Sequence, residues 1–397
     1  MASPSLHLQG LLDMGEFGTI YLCATGDELS AVKCFSRARA GEDEQWARRV
    51  QREKHILKLV SRLPHPFILH FRFVRFDNEH MFLGMEYIHG CSVFTLLQSR
   101  GSLSPDWARV YAAEVCLALG HIHSFDVIFR DLKPENVLIG SDGHTKLIDF
   151  GSALKMLGRR GANEPPPARI VSLGGTPDHT SPEILVGDPT CEESDWWSLG
   201  CFVSEMLTGS SPFVEASQNH HDIQDRILEL VTRILYQPIR APEHSHVGAI
   251  EASFIEALLV RGPSERLGAR PHGHRAVLSH EWFDRLAASN LLLLKRHPAP
   301  WLPHLDGPFP EAEGGQEADA SEAQAADAQR TISEATSHAQ GAELVDETGA
   351  TDEAQHELAA PLPLPPALLA GWGEWADVDV SIELPISPPD SPSGSPS

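Results

Sequence analysis

The sequence predicts an α+β chain of two lobes, a small β-rich one carrying a single key helix and a larger, mainly helical one. Three observations predict it. Residues 8–86 read as short apolar strands broken by one helix-spaced segment, whereas residues 87–286 change to longer stretches of helical periodicity. At 397 residues, the chain exceeds one ordinary domain. Beyond residue 310 the apolar periodicity stops, so 311–397 is expected to be an acidic, Pro- and Ser-rich disordered tail.

Charge narrows the function classes. The chain holds 31 basic and 55 acidic side chains, a net of -24, which disfavours general affinity for nucleic acid or anionic membranes. Eighteen of those acids follow residue 310 with only Arg330 against them, so the remainder is nearly ordinary in charge. The tail also holds a Pro-Leu run at 361–366, the pair Trp372 and Trp375, and Ser-Pro steps at Ser387, Ser391 and Ser395. The tryptophan pair reads either as a docking motif, in cis or for a partner, or as two aromatics in disorder.

The six cysteines, Cys23, Cys34, Cys91, Cys116, Cys191 and Cys201, show no CxxC pair. Such scatter suits reduced thiols in the cytoplasm, or in the nucleus, better than disulfides or a zinc ribbon. No run approaches the ~18 apolar residues of a membrane span. MASPSLHLQG lacks a secretory signal pattern, and Ala2 excludes N-myristoylation.

The first element is the hairpin DMGEFGTIY, residues 13–21, where Gly15 and Gly18 would let backbone approach phosphates that a Cβ would hold off. By themselves the two glycines fit an ordinary turn as well. In LSAVKCF, alternation puts Leu29, Ala31, Lys33 and Phe35 on one face of a strand, and Val32 with Cys34 on the other. The helix EDEQWARRVQREKHILKLV steps Trp46, Val50, Leu57 and Val60 along a stripe that also holds Glu53. A carboxylate on a buried stripe needs a cation. Lys33 is the economical partner, with its ammonium still able to touch a phosphate. The segment SPDWARVYAAEVCLALGHIHSF opens with Ser104 as N-cap and Pro105 behind it, and directs Trp107, Tyr111, Val115, Ala118 and Ile122 into a core.

The segments VIFRDLKPENVLI, residues 127–139, and KLIDFG, residues 146–151, are far more specific. Asp131, Lys133, Asn136 and Asp149 supply a base, a cation and two oxygen ligands for a hard divalent ion. Phosphoryl transfer from a nucleotide asks for that set. A polar turn between strands would not require so fixed an order.

With these motifs on hand, residues 8–305 resemble the eukaryotic protein kinases. The likeness rests on DMGEFGTI, AVK, Glu53, FRDLKPEN, DFG at 149–151, GTPDHTSPE at 175–183, SDWWSLG at 194–200 and Arg266 in PSERLGA. It implies the bilobal protein-kinase fold, with an N-lobe over 8–86 and a C-lobe over 87–286, and ATP and Mg²⁺ as cofactors. Asp131 would then take the substrate hydroxyl's proton, Lys133 steady the transferring group, and Asn136 with Asp149 hold magnesium. Leu12, Gly15, Gly18, Ile20, Ala31, Lys33 and Leu138 would line the nucleotide, with Met85 behind it and the backbone of Glu86 and Ile88 on its ring. Glu183 would pair with Arg266, and Lys133 points to serine/threonine specificity in protein substrates.

HPFI, SLGGTPDH, RLGA, SHEWF and PAPWLPHL resemble the AGC group, making 287–310 a tail that returns along the domain. IDFGSALK, SPE and LGCFVSEMLTGSSPF are closest to the phosphoinositide-dependent protein kinase family, without its lipid-binding domain. That likeness implies activation loops of other AGC kinases as substrates, reached through a docking groove at Val74, Phe76, Met81 and Lys54. It also implies Ser172 as a regulatory phosphosite bridging to Arg130. Departures exist. Asp13 stands where the first loop glycine is usual, Phe129 precedes Arg130 in place of His or Tyr, and Ser92 replaces a substrate-binding glutamate. Glu135 and Glu205 resemble a second pocket for basic residues, so a weaker basic preference is expected. A pseudokinase scaffold is the alternative reading, and the retained Lys33, Glu53, Asp131, Asn136 and Asp149 argue against it.

Overall fold

A computed structural model describes residues 6–15, 18–26, 28–156, 177–186, 188, 190–214, 223–239, 241–286 and 292–303. Ser172, the hairpin tip at residues 16 and 17, and the whole stretch 311–397 with Trp372 and Trp375 lie outside the described residues.

Strands β1 (His7–Gly15), β2 (Gly18–Thr25), β3 (Glu28–Ser36), β4 (Phe71–Phe76) and β5 (His80–Glu86) form one antiparallel sheet in the order β1-β2-β3-β5-β4. The two faces of β3 separate as alternation requires. Val32 joins Tyr21, Cys23 and Phe82 in a small outer cluster, while Phe35 meets Trp46 edge-on with ring centroids 5.9 Å apart. Gly84 on β5 is required by packing, since a Cβ there would sit 2.4 Å from the Phe73 ring.

Where one helix is expected after β3, there are two, α1 (Arg37–Glu42) and α2 (Glu44–Val60). Asp43 makes the break: its carboxylate accepts from the Trp46 amide at 2.9 Å and caps α2, while its own amide closes α1 on the Arg39 carbonyl. The expected stripe is buried, with Ile56 and Ala47 added to Trp46, Val50, Glu53, Leu57 and Val60.

The larger, mainly helical part begins with β6 (Gly90–Ser92), α3 (Val93–Arg100), α4 (Pro105–His123) and β7 (Val127–Ile128). Then come β8 (Val137–Gly140), β9 (Thr145–Leu147), β10 (Leu154–Lys155), α5 (Pro182–Val186), α6 (Glu193–Thr208), α7 (Ile223–Tyr236), α8 (Ala249–Leu258) and α9 (His274–Leu278). Ser104 caps α4 as expected, its Oγ accepting from the Trp107 amide. The single apolar face expected of α4 is a correction. Every residue from Ala108 to Gly120 is buried, because α6, α9, β7 and β9 surround the helix, and Trp107 at its start is only half-buried beneath Arg100. Even Glu114 is buried, held by His144 Nδ1 at 2.6 Å and by the Thr145 amide and hydroxyl at 2.8 Å each.

Residues 292–303 return against this part. Lys295 reaches Asp142 at 2.5 Å and Arg100 lies over the Trp301 ring. Gly143, at φ +77, leaves no room for a Cβ, which would meet the Trp301 carbonyl at 2.4 Å. Among the described residues, no helix is long and apolar enough to cross a membrane.

Candidate active site

The central ammonium belongs to β3. Lys33 Nζ lies 2.7 Å from Glu53 Oε1 on α2 and 3.4 Å from Asp149 Oδ1, with Lys33 and Glu53 both buried. Burial alone would lower the Lys33 pKa, but the charges of Glu53 and Asp149 outweigh it and hold the amine protonated. Asp149 is drawn below the usual carboxylate range despite burial, by Lys33 and by the Gly151 amide bonded to its Oδ1 at 3.0 Å. Gly151 sits tightly between the two carboxylates. A Cβ there would stand 3.0 Å from Asp149 Oδ1 and 3.3 Å from Glu53 Oε2.

The second group comes from the loop between β7 and β8. Asn136 donates through Nδ2 to the Asp131 carbonyl at 2.8 Å and to its carboxylate Oδ2 at 3.0 Å. With the amide hydrogens committed there, the side chain's remaining capacity is its acceptor oxygen. Lys133 Nζ stands 3.2 Å from Asp131 Oδ1. The arrangement thus combines a fixed ammonium, a carboxylate and an amide oxygen suited to a hard cation, and a second, half-exposed carboxylate with its own cation.

Two further residues hold the loops of the site in shape, Asp195 beside Asp131 and Arg49 beside Asp149. Asp195 on α6 is fully buried and accepts from the Phe129 amide at 2.9 Å, the Arg130 amide at 2.7 Å and His123 Nε2 at 2.8 Å. Arg130 is thereby kept at φ +72, a conformation costly for a side chain with a Cβ. Phe129 fills the core as expected, edge-on to Phe150 with centroids 5.3 Å apart. Arg49 is the other addition, joining α2 to the Gly151 carbonyl at 2.8 Å and the Ser152 hydroxyl at 3.2 Å. Its position four residues before Glu53 was the available signal.

The expected nucleotide-lining residues are distributed over β1, β2, β3, β5 and β8 and the segment that follows β5. Ile20 stands opposite Lys33, Ala31 opposite Met85, and Leu138 opposite Ser92, and Met85 is buried. Gly15 pairs with Gly18 at the hairpin, and Leu12 on β1 is exposed. Gly18 has φ +141, and a Cβ would meet the Cys34 carbonyl at 2.8 Å. Asp13, the added charge on this hairpin, turns its Oδ1 to the Met14 amide at 2.8 Å. Glu86 is more committed than expected: its amide donates to the His70 carbonyl, and its carboxylate holds the His70 amide at 2.8 Å and Lys146 at 2.5 Å. Its amide and side chain are thus engaged within the protein. Ile88 is half-buried against the main core.

Ser92 serves as N-cap of α3, accepting from the Thr95 amide at 3.0 Å. Burial lowers the Arg130 pKa. The expected groove needs correction at Met81, which is wholly buried and has no surface to offer, while Val74 and Phe76 pack half-buried on the main core. Glu183 and Arg266 meet as expected, in a two-pronged pair at 2.8 and 3.0 Å, with Ser194 donating to the same carboxylate.

Residues 6–283 match the protein kinase domain. The chain is 31% identical over 308 residues to a cAMP-dependent protein kinase catalytic subunit of Arthrobotrys oligospora, covering 77% of this chain and 54% of that protein. It is 33% identical over 283 residues to the cAMP-dependent protein kinase type 3 of Saccharomyces cerevisiae, covering 71% and 65%. It is 36% identical over 266 residues to the protein kinase C zeta type of Oryctolagus cuniculus, covering 66% and 42%. The chain therefore spans less than two thirds of the length of each of these relatives. Sheet and helical part, the Lys33–Glu53–Asp149 centre and these matches agree: the chain belongs to the protein kinase family, within its AGC group.

Proposed function

We propose that the chain is a serine/threonine protein kinase, transferring the γ-phosphoryl group of ATP to a hydroxyl of a protein substrate with Mg²⁺. The observation that carries it is that the Lys33–Glu53–Asp149 centre and the Asn136–Asp131 pair, from separate segments of the chain, are tied together by the Ile148 amide, which donates to the Asn136 carbonyl at 3.0 Å. The donor set fits the ion: a charged carboxylate and an amide oxygen are hard ligands, and Asp149 Oδ2 makes no bond among the described residues. When bound, the ion supplies positive charge that neutralises the phosphates.

The chain's own residues do the rest. Glu53 positions Lys33, whose ammonium meets the nucleotide phosphates. Leu12, Ile20, Ala31 and Leu138 hold the base, with Gly15 and Gly18 allowing backbone close to the phosphates. Asp131 orients the acceptor hydroxyl and takes its proton as the new oxygen–phosphorus bond forms and the bond to ADP breaks. Lys133 brings a charge beside the moving group.

The likeness to the phosphoinositide-dependent protein kinases supports activation loops of other AGC kinases as substrates, with Ser172 as the regulatory phosphosite whose phosphate would bridge to Arg130, and the scattered cysteines support the cytoplasm or the nucleus as the place of action. Glu135 and Glu205 support a modest preference for basic residues near the acceptor. A scaffold without turnover is the competing reading, motivated by Asp13 and Ser92. Phosphoryl transfer from radiolabelled Mg-ATP to Ser/Thr peptides decides between them: the native protein turns over and Asp131→Asn is slower by about 10²–10⁴-fold. Equal signals from both proteins, or none from the native one, overturn the enzyme reading.

A further inference from the structure

Beside the Asp131 loop lies an acidic patch that is not simply open. Glu135, exposed and four residues after Asp131, shares its electrostatic surroundings with Lys133, Glu205 and His179. His179, in the turn Pro177–His179, places Nε2 3.1 Å from Glu205 Oε2 on α6 and Nδ1 3.5 Å from Asp178 Oδ1. The imidazole is largely buried between the two carboxylates, and its backbone is fastened by the Ser198 hydroxyl, which donates to the His179 carbonyl at 2.8 Å. A ring held between carboxylates favours its cationic form. Burial opposes that, but the two carboxylates at 3.1 and 3.5 Å outweigh it and lift its pKa to about 9. The helix α7 packed on the same turn contributes the pair Arg233–Glu229, whose charges cancel.

We propose that His179 is a specificity-determining residue: as an imidazolium it already occupies the Glu205 side of the patch, so that an arginine of a peptide substrate must compete with a cation built into the protein. This deepens, and rests on, the kinase reading above. The neighbouring position that could have added a carboxylate does not, since Ser92 is spent on capping α3. Glu135, unlike Asp178 and Glu205, makes no ion pair with His179 among the described residues, and the preference for upstream arginine at neutral pH is held to a weak one. When His179 loses its proton, no built-in cation counters the Glu205 carboxylate and the preference for arginine increases.

The experiment uses the full chain with Mg-ATP and pairs of serine peptides that carry arginine or its uncharged near-isostere citrulline at each of several upstream positions. The readout is the ratio of kcat/KM for the two, which cancels effects common to both. Expected is a ratio within about threefold of one for the native protein near pH 7, rising about tenfold in His179→Gln, the worth of one partly screened charge pair. The rise should disappear in the double variant His179→Gln/Glu205→Gln. In the native protein the ratio should also climb between about pH 7 and about pH 9.5, through the His179 pKa, while in His179→Gln it stays level. The pH series on the native protein decides alone if the variants do not fold. A ratio unchanged by His179→Gln, or level with pH in the native protein, overturns the role of His179 while leaving a working kinase. Absence of turnover on every peptide instead removes the kinase reading itself.

Discussion

Lys33 Nζ and Glu53 Oε1, twenty residues apart in the chain, meet at 2.7 Å inside the protein, where neither has contact with bulk water to speak of. Their mutual dependence separates stability from activity. Lys33→Met leaves Glu53 as an uncompensated buried charge and is expected to cost about 3–5 kcal/mol. The double variant Lys33→Met/Glu53→Leu should regain most of that in denaturant unfolding, yet remain as inactive as the single variant, because the phosphate contact is still missing. A double variant no more stable than the single one would show the pair is not the source of the loss.

Asp195 should behave as a positioning residue. Its carboxylate holds the Phe129 and Arg130 amides and His123, and with them the loop that carries Asp131. Asp195→Asn keeps the size but replaces an acceptor with a donor facing two N–H groups, an expected loss of about 1–3 kcal/mol. If the fold survives, kcat should fall more than KM for nucleotide rises, since the hairpin side of the site is untouched. Equal changes in both would place its effect elsewhere.

Gly18→Ala tests the hairpin. At φ +141 with a carbonyl 2.8 Å from the added Cβ, the substitution is expected to shift β1–β2 and cost about 1–3 kcal/mol of strain. Nucleotide affinity by calorimetry should weaken, while Gly10→Ala, which meets nothing within 4 Å, serves as the matched control and should not.

Acid stability offers a fourth measurement. His65 stacks on His121 with centroids 4.8 Å apart. Burial, with the charges of His121, Lys146 and His274, pushes the His65 pKa down to about 3. An unfolded chain takes up this proton near pH 6.5, and the folded one only near 3. The contribution to stability is therefore full above pH 6.5 and diminishes as pH falls toward 3. Between pH 7 and pH 5 the native protein should lose about 1–2 kcal/mol more than His65→Phe, which stacks but does not titrate. Parallel losses would mean that His65 is not the responsible group.

How much of this was legible in the sequence follows from the range of the physics involved. The stripe of α2 and the two faces of β3 were readable, because period 3.6 and period 2 are local properties of the backbone. Glu53 and Lys33 could be matched since each was a charge on a face otherwise apolar, which made their pairing the economical one. The break between α1 and α2 was missed. It depends on whether Asp43 caps or continues a helix, and that is a matter of about 1 kcal/mol.

The sequence by itself determined the class of chain and the inventory of the site: which ammonium, which carboxylates, which amide, and in what order. Tertiary structure alone decided how those groups are committed. It buried α4 on every side, because neighbouring elements rather than its own pattern set its surroundings. It turned Asp195 from a letter in a motif into the anchor of the Asp131 loop, and placed His179 between Asp178 and Glu205. A charge's effect depends on distance and dielectric, and neither is a property of position along the chain.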